Sequence, residues 1–439
     1  MRPRSHRHVP LCARISLRVG PDGACRRIRG MLAFIASATR RWLLRQQALG
    51  GSGTKHHGRD IWRSAFATAI AVGVPIGACA AVGSHAHPGT LRRPPILSAE
   101  YLPLHHLRAG LTWAAHVDLE GVANLSGGLE REATVDLAAQ AGFGLDTRLS
   151  GWWPGGLFTA TVLAVTSGRP SSDTAGDIQG VDNLAAASRV RLYELNYRQH
   201  VTHVADLRVG LMDLNYHFAV VGVASTLINS SFGILPTLSA NVPVAIYPYA
   251  GVGAMAALHG YGAALRLGVF QGDPSRPEAF FDRGYLALAE GGWYARQRAF
   301  GLKVGVWRYV SGRAGPGSSD TGMYTIAEGR WRLASGGRLG VFLQYGTSTR
   351  GTDPVPRYVG MGMRWQGPFR GRSADLFSVG VARAWVRGAR AETAYEVTYA
   401  LRLHYDVYLQ PDLQYVVHPG GSSLADALVG IVRIHVEFF

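Results

Sequence analysis

The chain is 439 residues long, 17% charged, and carries a formal net charge of +16. That excess would suit a nucleic-acid binder, but residues 1–86 hold 14 Lys/Arg and 2 Asp/Glu, which leaves about +4 and no block of like charge for the rest. All three cysteines (Cys12, Cys25, Cys79) fall in the same stretch, so the remainder has no disulfide framework, thiol nucleophile or thiolate metal site.

The leader accounts for the asymmetry. Arg59 and Arg63 precede the apolar stretch 65–82, which ends in Ser84-His85-Ala86. A basic start, an apolar middle and small residues at the exit predict a secretory signal cleaved after Ala86, with Ala80 or Ala81 as alternatives. A spanning anchor is the competing reading, because the stretch approaches spanning length; its many Ala and Gly residues favour cleavage. Residues 1–58 are basic and unpatterned, as a start codon placed too far upstream would leave them, with Met31 or a later codon as the true start. Residues 87–107 are Pro-rich and irregular (Arg93-Pro94-Pro95) and predict a periplasmic N-terminal segment. The barrel is assigned to residues 108–439. Beyond the leader, no stretch is long and apolar enough for a spanning helix.

Strand-like segments then follow one another to the C-terminus. They are placed near 109–119, 131–141, 156–166, 189–199, 204–213, 249–258, 261–270, 284–295, 299–310, 322–333, 337–347, 356–366, 375–386, 393–404, 406–417 and 426–439. The clearest run is 393–417. Its odd positions read Tyr395, Val397, Tyr399, Leu401, Leu403 and onward to Leu413, Tyr415, Val417. Its even positions include Glu396, Thr398, Arg402, His404, Gln410, Asp412 and Gln414. Successive strand side chains point to opposite faces, so one face is apolar and the other polar. Two tilted membrane strands of roughly 9–11 residues, turning near His404–Asp406, fit this run. A soluble antiparallel sheet is the plainer reading of any one such stretch, but here the pattern repeats along the chain. The fold class predicted is all-β: an outer-membrane β-barrel of about sixteen antiparallel strands.

The connections support the count. Short links fall near 200–203, 259–260, 296–298 and 334–336, and longer Gly/Pro-rich ones at 168–187, 271–283, 311–321, 346–355 and 418–424. The link 366–374 is long for a turn. The longest connection, 214–248, contains the apolar run 218–228, which water would not tolerate, so it is expected to fold inward and narrow the pore. Two charges break the alternation. Arg383 shares the phase of Val379 and Val381, and Glu290 that of Leu286 and Leu288. Both are expected near strand ends or at a bulge, because a charge on the lipid face costs about 2–4 kcal/mol at midplane.

The polar phases collect both signs of charge, with Arg198, Arg208, Arg266, Arg330, Arg338, Arg364, Arg402 and Arg433 against Asp118, Asp136, Glu194, Glu328, Glu396, Asp412 and Glu437. A phosphate-selective pore would carry one sign in excess, whereas a mixed ladder with amides suits neutral, hydroxyl-rich solutes. Any porin lumen must also solvate itself, so most of these groups are expected to be wall. Glu194, Asn196, Arg198 and Arg208 precede the long loop, and Asp412 and Gln414 share the polar phase of a late strand. With loop residues Asp213 and Asn215 they are the candidate constriction, and Trp307 or Phe342 offers a stacking face. The alternative is that Glu194 and Arg198 pair across the wall and anchor the loop. No catalytic residue, metal site or cofactor is predicted. Ser422 and Ser423 lack a His/Asp arrangement, His105 and His106 point to opposite faces, Asp213 and His217 read as a loop hydrogen-bond pair, and Gly251-Val252-Gly253 lacks the strand–helix context of a dinucleotide site.

Three groups of residues resemble the OprB-type carbohydrate-selective porins. One is the tail Tyr408-Leu409-Gln410-Pro411-Asp412-Leu413-Gln414-Tyr415-Val416-Val417-His418-Pro419-Gly420-Gly421 with Asp426-Ala427-Leu428-Val429. A second is Gly210-Leu211-Met212-Asp213-Leu214-Asn215 with Phe218, Ile228-Asn229-Ser230-Ser231-Phe232-Gly233 and Asn241-Val242-Pro243. The third is Asn124 with Gly127-Gly128. The resemblance spans roughly residues 104–439 and implies a sixteen-stranded barrel passing mono- and small oligosaccharides by passive diffusion. It departs in Tyr193-Glu194-Leu195-Asn196-Tyr197-Arg198-Gln199, where a Trp is more typical, and at the C-terminus, where the apolar phase falls on Phe438 rather than Phe439. The expected partners are sugars as solutes, outer-membrane lipid and the barrel-assembly machinery, reached through the last strand. Nucleic acid is not among them, and a homo-oligomer is left open. A general or acid-selective porin is the runner-up, and a barrel enzyme the more distant alternative.

Overall fold

The computed structural model describes residues 105–106, 110–295, 299–312, 319–334 and 336–438. The predicted leader, its cleavage site, most of the 87–107 segment, the 296–298 link and Phe439 lie outside the described residues. A two-residue strand, β1 (His105–His106), pairs with the start of β2 (Leu111–Ser126). The wall continues through β3 (Ala133–Asp146), β4 (Gly156–Thr166), β5 (Arg189–Thr202), β6 (Ala205–Met212), β7 (Gly251–Gly260), β8 (Ala263–Gln271) and β9 (Gly284–Ala295). It is completed by β10 (Phe300–Ser311), β11 (Ser319–Arg332), β12 (Arg338–Ser348), β13 (Arg357–Gln366), β14 (Leu376–Trp385), β15 (Glu392–His404), β16 (Val407–Val417) and β17 (Ala427–Phe438). Each strand pairs antiparallel with the next, and β17 returns to β2 with Arg433 opposite Glu120 and Val436 opposite Val117. Closure removes both sheet edges, which is what a wall set in lipid requires. All sixteen expected strands are present.

Outward positions carry exposed apolar side chains such as Val135, Phe143, Leu207, Val306, Leu343 and Val432, while their neighbours in sequence face the interior. Glu290 corrects the phase expected for its strand. It lies mid-strand at 1% exposure, Leu286 and Leu288 point inward with it, and β9 pairs with β8 and β10 without a bulge there. The inner face is apolar at that point because an inward loop covers it. Arg383 does face outward, and it sits two residues from the end of β14.

The long connection between β6 and β7 fills much of the lumen. Phe218, Val223, Leu227, Ile228, Phe232, Leu235 and Leu238 are buried against the inner-wall residues Phe270, Leu286, Leu288, Trp307, Tyr324, Phe342 and Tyr358. Burying such side chains stabilises the docked loop by about 1.5–3 kcal/mol each at most. The connection between β4 and β5 also turns inward, with Val181, Asp182 and Leu184 buried. The link between β13 and β14 is long but ordered. Arg372 pairs with Asp375 at 2.6 Å, and Asp375 also accepts from the Tyr399 hydroxyl (2.7 Å) and the Arg402 N–H (3.1 Å).

Asn124 caps the other end of the wall, its Nδ2 donating to the carbonyls of Gly127 (2.9 Å), Glu130 (2.8 Å) and Thr174 (3.1 Å). Gly127 has φ +67, and a Cβ there would stand 1.9 Å from the Asp426 carbonyl oxygen, so both conformation and space demand glycine. Within the wall, the Tyr324 ring lies over Gly305, where an added Cβ would come within 2.1 Å of Cζ. Gly305→Val is therefore expected to displace Tyr324 from Glu290 and cost about 1–3 kcal/mol. A lower heat-modification temperature on a gel would register the loss; an unchanged one would refute it.

Candidate functional site

The inward loop is held by wall carboxylates that accept its backbone N–H groups. Glu290 accepts from Ala219 N–H (2.8 Å), the Tyr324 hydroxyl (2.9 Å) and Arg266 Nη1 (2.8 Å). Glu328 accepts from Val223 N–H (2.8 Å) and Arg330 Nη2 (2.9 Å). Glu396 accepts from Ile228 N–H and Asn229 N–H, the latter at 3.0 Å. Loop carbonyls are held in turn. Lys303 Nζ donates to Val220 O, Arg364 Nη1 to Gly222 O (2.8 Å), and Gln410 Nε2 to Thr226 O (2.7 Å). Glu392 does the same for the second inward segment, accepting from Ile178 N–H (2.9 Å) and Gln179 N–H (3.1 Å). Charge-assisted bonds of this kind contribute about 1.5–3 kcal/mol each.

The candidate residues fall into three places. Glu194, Asn196, Arg198, Arg208, Asp213 and Asn215 gather at the loop root. Arg208 Nη1 donates to Asn196 Oδ1 (2.8 Å), Glu194 Oε1 accepts from Asp213 N–H (3.3 Å), and Asp213 Oδ1 accepts from Asn215 N–H (2.7 Å). Arg198 stands directly opposite Arg208. The Tyr193 hydroxyl donates to Asp213 Oδ2. Burial pushes the Asp213 carboxyl up to about 6, opposed by the donors from Tyr193 and Asn215. Asp412 and Gln414 lie elsewhere, on β16. Gln414 Nε2 donates to Val181 O (2.7 Å) and Asp412 Oδ1 (3.1 Å), and its Oε1 accepts from Asn229 Nδ2 (3.1 Å), so it joins both inward segments. Trp307 and Phe342 form the third group. They are 3% and 4% exposed, and Phe342 meets the edge of Phe232 at 5.8 Å, so the loop covers both rings.

Sequence reasoning missed Arg189, Arg191 and Tyr249. The register of β4 with β5 shifts between Thr161 and Val162, which leaves Tyr193 and Glu194 both facing inward. Above that bulge the odd positions face the lumen. Arg191 Nη1 donates to Pro248 O (3.0 Å), and the guanidinium carbons of Arg191 and Arg189 stand 4.6 and 4.8 Å from the Tyr249 ring centroid. Two arginines in an otherwise lipid-facing phase were the available signal. Among the described residues no carboxylate lies within ion-pair distance of either.

A second missed feature is the closing seam. Arg433 on β17 pairs through Nε with Glu120 on β2, while its Nη2 donates to Asn183 Oδ1 (2.6 Å) and lies 3.5 Å from Asp182 Oδ1. Next to it His435 Nδ1 is 2.7 Å from Asp118 Oδ1, and the His116 and His435 rings are 5.7 Å apart. The seam and the second inward segment therefore share one guanidinium.

A closed sixteen-stranded barrel narrowed by an anchored inward loop defines a channel of the porin class. The model of the carbohydrate-selective porin family, OprB, matches residues 130–332 and 278–438. The chain belongs to that family: it is a carbohydrate-selective porin of the outer membrane, with sugars as its transported solutes. Its fold is similar to that of Pseudomonas putida OprB. The high-pH structure of that protein gives a TM-score of 0.68 at 18% identity, covering 75% of this chain and 94% of that one. The low-pH structure gives 0.52 at 16% identity, covering 75% and 93%. No curated protein matches the chain.

Proposed function

We propose that solute selection takes place at the root of the long loop, between the inner face of β5–β6 and residues 247–249. The observation that carries this reading is the pair Arg189–Arg191, held against Tyr249 and the Pro248 carbonyl with no carboxylate among the described residues within ion-pair distance. Guanidinium groups fixed in this way present planar donors to sugar hydroxyls without a further ordering cost. Asn196, Arg198, Arg208, Asp213 and Asn215 continue the polar surface below. Asp412 and Gln414, and Trp307 and Phe342 under the loop, set the loop's position and hence the aperture. The solute diffuses passively and leaves chemically unchanged, so the barrel performs no catalysed step. Strand β17, with Phe438 outward at 46% exposure, is the segment offered to the barrel-assembly machinery.

Liposome swelling with glucose, arabinose and amino acids of similar size tests the selection site. Replacing Arg189 and Arg191 with Ala, or Arg198 and Arg208 with Ala, is expected to reduce sugar preference several-fold in barrels that still shift on heating. Unchanged preference in both double variants would assign these arginines to scaffold. Equal rates for all solutes in the wild type would favour a general diffusion pore.

A further inference from the structure

The outer wall carries a charged cavity of its own. At the long-loop end of β14–β16, a cavity of about 370 Å³ is lined by Arg383, Arg390, Thr393, Tyr395, Val417 and His418. It opens on the lipid-facing side. Tyr395 is 48% exposed and pairs in register with Tyr415 at 43%, while Arg383 alternates with the buried Ala382 and Ala384. Arg383 Nη1 donates to Thr393 Oγ1 (3.3 Å), and its guanidinium carbon lies 5.3 Å from the Trp385 ring centroid. Arg357, exposed on β13, lies 5.0 Å from the same ring. Arg390 is exposed on the connection that follows β14.

These are three cations on one rim. Among the described residues no carboxylate comes within ion-pair distance of Arg357, Arg383 or Arg390. Asp426, on the connection 418–426, is already committed: it accepts from His418 N–H (3.0 Å) and the Tyr415 hydroxyl (2.9 Å). Cations facing lipid are disfavoured at depth and tolerated at the headgroup level, where Trp and Tyr also settle. Anionic headgroups attract such clusters of basic side chains. Guanidinium forks match phosphate oxygens in bidentate geometry.

We propose that this cavity binds the phosphate-bearing headgroup of an outer-leaflet glycolipid, with Arg383 and Arg390 on the phosphate and Tyr395 and Trp385 at the junction of sugar and acyl chains. Free phosphate shares the anion chemistry, but the cavity's lipid-facing mouth and aromatic border select the lipid-borne form. The site is independent of the lumen and of solute selection.

The test titrates wild-type porin in detergent with a bis-phosphorylated glucosamine-disaccharide lipid, with the same lipid after phosphatase treatment, and with inorganic phosphate, reading occupancy by native mass spectrometry. Saturable binding of the phosphorylated lipid is expected, with the dephosphorylated form about tenfold weaker and phosphate alone unbound at matched concentration. The Arg383→Ala/Arg390→Ala variant should lose about tenfold in affinity for the phosphorylated lipid, while Arg148→Ala, in the β3–β4 turn at the opposite end, should lose none. Equal affinity for the dephosphorylated lipid, or for the double variant, would overturn the proposal. Binding of inorganic phosphate as tight as that of the lipid would mean an adventitious ion only. If the double variant does not assemble, the comparison of the two lipids on wild-type protein decides alone.

Discussion

Glu396→Ala is expected to turn a discriminating pore into a leaky one. The Ile228 and Asn229 amides would lose their carboxyl acceptor, at about 1–3 kcal/mol for each buried donor left unsatisfied. Glu290 and Glu328 would still hold the earlier part of the loop, so release should be confined to the stretch around Ile228–Phe232. Single-channel recordings should then show higher conductance, and liposome swelling a smaller advantage of sugars over amino acids. Glu396→Gln keeps one acceptor and should fall between. Wild-type conductance together with wild-type preference in the alanine variant would show that the tether does not set the aperture.

Arg433→Ala should cost the barrel most. The substitution leaves Glu120 and Asp182 buried beside one another without their cation, a loss of about 3–5 kcal/mol. Because the residue joins the first and last strands and also grips the second inward segment, the loss should appear as a large drop in heat-modification temperature and as reduced assembly. Arg433→Lys restores the charge but not the fork, and should recover part of the difference. Replacing Arg433 and Glu120 together with Met and Leu should recover part of the loss as well, since Asp182 is then the one carboxylate of the pair left without its cation. A melting temperature unchanged in Arg433→Ala would remove the seam from the account of stability.

The wall was legible because its signal is local. Alternation of the kind seen at Tyr395–Val417 depends on period two alone, and it recurs along the chain, so the strand number follows from it. The inward course of 214–248 was legible for a related reason, since the apolar run 218–228 has no other place to go. Glu290 escapes the alternation rule because the inner face is not polar throughout. Where Phe218 packs against the wall, Leu286 and Leu288 belong inside. The single-residue bulge at Tyr193–Glu194 concealed Arg189 and Arg191, as a one-residue slip exchanges the two faces. Asp182 and Asn183 lie in the long link 168–187, where nothing local marks a polar segment as inward. Their partners Arg433 and Glu120 are more than fifty residues away in sequence. Contacts of that range leave no trace in periodicity.

The tethers at Glu290, Glu328, Glu392 and Glu396 grip amide hydrogens, which every residue except proline supplies. The docking of the loop is therefore indifferent to most of the side chains it displays. A replacement for the long loop of matching length, without proline at 219, 223, 228 or 229 and with an apolar underside, should settle on Glu290, Glu328 and Glu396. Its upper surface could then be rewritten for another solute, as an interchangeable cartridge in a fixed housing.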